Sequence, residues 1–166
     1  RVSGFRLNDI QSWFEKWNMY AYDDDGHLIQ RVGPATPAAP NGETSIYQYT
    51  SGQSAAYGSD GEVIEGATAP AGLLRAATNL GGLDEYRYAA NGDLTSFATV
   101  GSGYTGRTYD DAGYVTSETT SGTTGAEATT RFVRDDLGRT VSEARECTTN
   151  PITGERTRLE IGREYN

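Results

Sequence analysis

The stretch "MYAYDDDGHLIQRV", residues 19–32, decides the fold. Two tyrosines, Tyr20 and Tyr22, run into three acids. Gly26 follows, and Leu28 and Ile29 lead out. Three readings compete: a metal site, a catalytic carboxylate pair, and a turn. A calcium loop of the helix-loop-helix kind needs acids at loop positions 1, 3 and 5, a Gly at 6 and a Glu at 12. With Asp23 first, Asp25 fits position 3, but His27 and Pro34 take the places of the acid and the Glu, and Gly26 comes too early. A catalytic pair needs two carboxylates in different environments converging on one substrate atom. Neighbours in an extended chain point to alternate faces. An Asp beside a Gly is ordinary turn chemistry.

The rest of the chain favours the turn. Tyr22–Ile29 aligns without gaps on Tyr57–Ile64, Tyr88–Thr95, Tyr109–Thr116 and Arg134–Val141, where Phe132 supplies an aromatic two residues earlier. The shared element is aromatic-x-x-x-Gly-x-apolar, with its glycine at Gly26, Gly61, Gly92, Gly113 and Gly138. Asp-Gly and Asn-Gly before the return strand favour the positive φ of a tight primed turn. Tyr and Phe before it, and Leu, Val and Ile after it, suit strands. Tyr20 and Tyr22, Tyr47 and Tyr49, and Tyr86 and Tyr88 alternate, so each pair shares a face. The glycine spacings are 61 − 26 = 35, 92 − 61 = 31, 113 − 92 = 21 and 138 − 113 = 25. Such uneven spacing describes hairpins with variable connections rather than a solenoid of fixed rungs. The expected fold is all-β: an array of antiparallel β-hairpins forming an extended twisted sheet. Its motifs lie near 20–32, 47–66, 86–97, 107–117 and 131–143, with a partial one at 163–166.

Tyr22-Asp23…Gly26-His27-Leu28, Tyr109-Asp110…Gly113 and Asp135-Asp136-Leu137-Gly138-Arg139 resemble the YD repeats of Rhs-type proteins, roughly Tyr-x-Tyr-Asp-x-x-Gly-Arg-Leu. The resemblance spans about residues 17–166, with gaps. The Asp is replaced by Gly58 and Ala89 in two copies, and the Arg after the glycine stands only at Arg139. The resemblance implies repeats that act as scaffold, in sheets that curl into hollow shells or sit on cell surfaces. It also implies a self-cleaving Asp-Pro segment at the end of a shell. The chain has no Asp-Pro, and five hairpins are few for a closed shell.

Composition fits a thin, wet sheet. Gly occurs 21 times in 166 residues, as many turns require, and Tyr at 11 outnumbers Phe at 4 and Trp at 2. Only 36% of residues are apolar, and mean hydropathy is −0.61. A net charge of −9 argues against nucleic acid or an anionic membrane surface as partner. No run approaches the roughly 20 apolar residues of a spanning helix. The chain starts at Arg1 without a leader, as a processed product or a piece of something larger would. Cys147 is alone, read as a stray thiol or the site of an intermolecular disulfide. His27 is the only His and sits beside a turn.

Three stretches break the pattern. Residues 33–42, "GPATPAAPNG", form a loop that cannot pair centrally. Residues 118–130 are Thr-Gly rich and read as a loop or, preferably, a partly ordered hairpin. Residues 71–82 have room for a short helix ending at Gly81. At the N-terminus, residues 1–17 form a separate aromatic segment. Leu7, Ile10, Phe14 and Trp17 stand at helical spacing there, with Asn8 as a cap, so a short helix over 7–17 is expected beside the alternative of another strand.

No nucleophile–base pair, metal set or cofactor motif is legible. The expected function is a structural scaffold outside the cell or on its surface, forming a fibre or part of a longer repeat chain. Its partners are then neighbouring repeats, or copies of itself, joined through the terminal strand. A carbohydrate-binding adhesin, with sugars stacked on Tyr faces, is the second reading, and a fragment of a toxin-enclosing shell the third. The aromatic set is Tyr20, Tyr22, Tyr47, Tyr49, Tyr57, Tyr86, Tyr88, Tyr109, Phe132 and Tyr165. Rings packed between hairpins favour scaffold, coplanar exposed rings in a groove favour sugar, and a concave curved sheet favours the shell.

Overall fold

A computed structural model describes residues 17–79, 81–123, 127–146 and 158–165. The helix expected over 7–17, apart from Trp17, and the lone Cys147 lie outside them. Among the described residues there is no helix. Thirteen strands follow in order: β1 (Met19–Tyr22), β2 (Leu28–Val32), β3 (Thr44–Tyr49), β4 (Ala55–Tyr57), β5 (Val63–Thr68), β6 (Leu74–Asn79), β7 (Gly82–Tyr88), β8 (Leu94–Thr99), β9 (Gly103–Tyr109), β10 (Val115–Ser121), β11 (Glu127–Arg134), β12 (Thr140–Glu146) and β13 (Arg158–Gly162). Eleven make one open antiparallel sheet in chain order, from which only β4 and β5 are missing; those two pair with each other. Outgoing strands end in the repeat aromatic, and return strands begin with the apolar residue after the glycine. The Thr-Gly stretch 118–130 contributes to β10 and β11, paired from Ser117↔Arg131 to Ser121↔Glu127.

The sheet is a single layer. No large side chain is fully buried, and the buried apolar residues are alanines: Ala56, Ala69, Ala76, Ala77 and Ala144. Register carries the aromatics to one face. Tyr20, Tyr22, Tyr47, Tyr49, Tyr86, Tyr88, Phe97, Tyr109 and Phe132 all share it, because every strand alternates and the register is continuous from β1 to β12. Tyr57, on the separate hairpin, does not.

The turns are not the primed type expected from Asp-Gly and Asn-Gly. Among the described residues none other than glycine has positive φ, so Asp25 and Asn91 lack the positive φ that a primed turn needs. The loop closes as a four-residue turn, with Gly26 N bonded to Asp23 O at 3.1 Å, and Asp23 N bonded to His27 O at 3.0 Å. Only the glycine is left-handed, at φ 85° for Gly26 and 93° for Gly92. Gly26 and His27 together oppose Asp23, and, separately, one more residue enters the return strand further on, where Ala21 pairs with Gln30 but Tyr22 with Leu28. The loop is a type I turn with a glycine bulge, which suits the twist of the strands as well as a primed turn does.

Stretch 47–66, read as one motif, contains parts of two hairpins. Tyr49 pairs with Leu74, and Tyr57 pairs with Val63. Residues 71–82 are not helical. Leu74–Asn79 is β6, held between β3 and β7, and ladder pairing on both edges outweighs the helix propensity of its alanines. Of the partial motif at 163–166, residues 163–165 continue from β13, whose ladder ends with Arg163 N bonded to Val141 O at 2.8 Å, and Asn166 lies outside the described residues.

Candidate functional site

Two recurring contacts join neighbouring repeats, and a third closes the turn within a repeat. The first comes from the aromatic residue. Tyr49 Oη donates to Leu28 O at 2.9 Å, Tyr88 to Leu74 O at 2.7 Å, Tyr109 to Leu94 O at 2.8 Å and Tyr165 to Thr140 O at 2.9 Å. Each acceptor is the carbonyl of the residue that opens the previous return strand. Arg134 replaces the tyrosine in one repeat and reaches Val115 O at 3.4 Å. Its Nε is buried with no partner, and its guanidinium lies 5.1 Å from the Tyr114 ring centre. Burial, then neighbouring Tyr86, raises the Tyr88 phenol above its ordinary value; burial likewise raises Tyr109.

The second contact comes from the residue after the glycine, which covers the next aromatic. The His27 ring stacks on Tyr49 at 4.5 Å, and Arg139 lies 4.7 Å over Tyr165. That role explains the Arg of the repeat pattern as a cation–π partner.

The third contact closes each turn. Asp23 Oδ1 accepts from Asp25 N at 3.1 Å and His27 N at 2.8 Å. Asp110 and Asp135 cap their turns in the same way. Where Gly58 and Ala89 replace the Asp, the residue before the glycine takes over: Asp60 accepts from Glu62 N, and Asn91 from Asp93 N. The acidic knot that opens the sequence is therefore a turn cap. Asp23, Asp25 and His27 do bring ligand-type atoms within 4.8 Å of one another. The turn accounts for this closeness, since Asp23 Oδ2 lies 3.1 Å from His27 Nδ1 while Oδ1 holds two backbone amides. Burial raises the Asp23 carboxyl, but the His27 and Asp25 hydrogen bonds outweigh it and leave the group below its ordinary value; Asp135 behaves alike.

Four predicted aromatics, Tyr49, Tyr88, Tyr109 and Tyr165, lie at repeat junctions, while Tyr86 stacks on Phe97, Tyr57 meets Arg87 at the separate hairpin and Tyr20 is exposed; one tyrosine in the junction position differs. Tyr22 is 60% exposed, and its hydroxyl has no partner among the described residues. Sequence reasoning aligned Arg134 with the repeat tyrosines but gave the aromatic role to Phe132, and it missed Thr50 and Gly72 as members of the series, and Arg87, Glu85 and Arg75 as residues beneath the separate hairpin. For Gly72 a signal existed: Gly72-Leu73-Leu74 is the second half of the repeat element without its first half. No family model matches the chain, and no curated protein is significantly similar to it.

Proposed function

We infer that the chain is a structural scaffold, a run of YD-type repeats whose sheet extends by adding further repeats at its edges. The observation that carries this reading is the repeated junction. Tyrosine hydroxyls and residues after the glycine hold the neighbouring repeat, the caps hold each turn, and Tyr22 at the edge is left open. The resemblance to Rhs-type repeats supports the same role, and with it a place outside the cell or on its surface.

The edges favour one kind of partner. Among the described residues, β1 and β13 are each paired on one side only. Ten antiparallel pairings separate them, so the two strands run in the same direction. Copies stacked by simple translation would set β13 beside β1 in parallel, which breaks the ladder. A return strand fits, because it is antiparallel and offers its first carbonyl to Tyr22. Neighbouring repeats therefore satisfy the edges better than end-to-end copies do.

The test is to append a copy of residues 111–121 after Asn166, which stands where Asp110 stands after Tyr109. A scaffold edge takes up the added turn and return strand, which raises the melting temperature and protects the new amides from exchange. Added residues that exchange freely, with melting unchanged, would overturn this reading.

A further inference from the structure

The hairpin β4–β5 lies over the face opposite the aromatic one and is fixed at two ends. At its base, Thr50 Oγ1 donates to Pro70 O and accepts from Leu73 N at 3.0 Å. At its tip, Arg87 Nη1 donates to Gly61 O at 3.0 Å, and the guanidinium carbon stands 5.1 Å from the Tyr57 ring centre. Gly106 admits the tip, since a Cβ there would stand 2.6 Å from Ser59 O.

Between these anchors the two layers do not close. A cavity of about 270 Å³ is left, with Ser54, Ala55, Tyr57, Ala69, Arg75 and Glu85 in its lining. A second space of about 170 Å³ lies beyond it, and Glu85 and Arg87 line both. Layers packed only for stability meet through interdigitated apolar side chains. Here the hairpin turns Val63 and Ile64 outward, 58% and 43% exposed, and the sheet lines the gap with the charged residues Arg75, Glu85 and Arg87. Among the described residues, neither the Arg75 nor the Glu85 side chain has a hydrogen bond or an ion pair, although they share one cavity and carry opposite charges.

We propose that this cavity binds one ring of a neutral sugar. A carboxylate only accepts hydrogen bonds and a guanidinium only donates them, whereas a hydroxyl does both, so a polyol satisfies Glu85 and Arg75 together. Arg75 and Arg87 balance Glu85 and Asp60 across the two spaces, and the chain carries −9 overall, which disfavours an anionic ligand. Ala55, Ala69 and Tyr57 offer apolar surface to the C–H face of a ring. The volume falls just short of the range of about 300–1,000 Å³ that holds drug-sized ligands, which limits the occupant to one ring. The site owes nothing to the edges, so it stands or falls apart from the scaffold reading.

The experiment is saturation-transfer NMR on the intact chain with the methyl glycosides of glucose, galactose, mannose and N-acetylglucosamine, and methyl glucuronide as the anionic control. Two variants accompany it: Glu85→Ala, and a chain in which residues 51–71 are replaced by Asp-Asn to restore a plain repeat turn. The expected result is transfer to at least one neutral glycoside. Affinity then weakens about tenfold, or about 1.4 kcal/mol, in Glu85→Ala, and binding disappears in the shortened chain. No transfer to any neutral glycoside, stronger transfer to the glucuronide, or unchanged binding in either variant would overturn the proposal. If the shortened chain does not fold, unchanged affinity in Glu85→Ala is sufficient to overturn it.

Discussion

Two hairpins of this molecule solve the same problem with different lengths of chain. In the fourth repeat of the sheet, Tyr109 pairs with Val115, 115 − 109 = 6 positions on; in the second, Tyr49 pairs with Leu74, 74 − 49 = 25 positions on. The closing bonds are nonetheless the same. Asp110 N reaches Tyr114 O at 3.0 Å, and Thr50 N reaches Leu73 O at 2.8 Å. Gly113 N reaches Asp110 O at 3.0 Å, and Gly72 N reaches Thr50 O at 2.9 Å, with both glycines left-handed. The difference teaches that a repeat is defined by its bracket, the aromatic with its cap on one side and the Gly-x-apolar on the other. What lies between is replaceable, because closure entropy grows only slowly with loop length. The second repeat uses this freedom to mount β4–β5 on the sheet.

The sharpest way to break the comparison is to remove a ring on each side of it. Tyr88→Ala deletes a half-buried ring and the donor to Leu74 O, and the sheet should lose about 2–4 kcal/mol in urea unfolding. Tyr57→Ala should release the hairpin tip from Arg87 and leave the sheet's own transition nearly in place. Equal losses in both would show that the hairpin is part of the cooperative unit.

Glycine comes next. Gly92→Val and Gly72→Val each force a branched residue into left-handed backbone and should each cost about 1–3 kcal/mol. If Gly72→Val melts like the unaltered chain, Gly72 is not the turn glycine of an interrupted repeat.

A smaller effect should run the other way. Arg134→Tyr restores the hydroxyl donor toward Val115 O and removes a buried nitrogen without a partner. The expected gain is about 1 kcal/mol, read from the shift in urea midpoint. A loss would mean that the Arg134 contacts to Tyr114, Gly138 O and Thr140 outweigh the ladder position.

The smallest effect is graded by pH. The Tyr88 and Tyr109 phenols are raised above the ordinary 10.0, so the folded state holds these protons more tightly than the unfolded chain. Their contribution is complete below pH 10.0 and is lost as pH rises through the folded values. A urea midpoint that is flat up to pH 10.0 and falls above it is expected, with the fall shallower in Tyr88→Phe. A fall of the same steepness in that variant would remove the ladder hydroxyl as its cause.

Much of this was legible because hairpin information is local. Asp23, Gly26 and Leu28 sit within one turn, and the five-fold recurrence of that pattern identified strands, turns and fold class. The turn type was misread at Asp25 and Asn91, since a dipeptide signal cannot tell a primed turn from a bulged one. Residues 71–82 were misread because "LLRAAT" has helical composition, and only its neighbours β3 and β7 impose a strand. The junction residues were half legible: the aromatics stood out, but their acceptors are backbone carbonyls, which carry no sequence signature.

By itself the sequence determined that this chain makes glycine-turn hairpins in series with alternating aromatic faces, because period and the need for a left-handed glycine are properties of a few adjacent residues; the bulged form of the turn came from the structure. Only the tertiary structure decided which hairpin belongs to which bracket, that Tyr49 closes on Leu74 across an inserted hairpin, and that Arg75 and Glu85 share a cavity beneath it. Those outcomes depend on strand pairing between residues far apart in the chain, and the ladder hydrogen bonds that select the pairs are the same for every sequence.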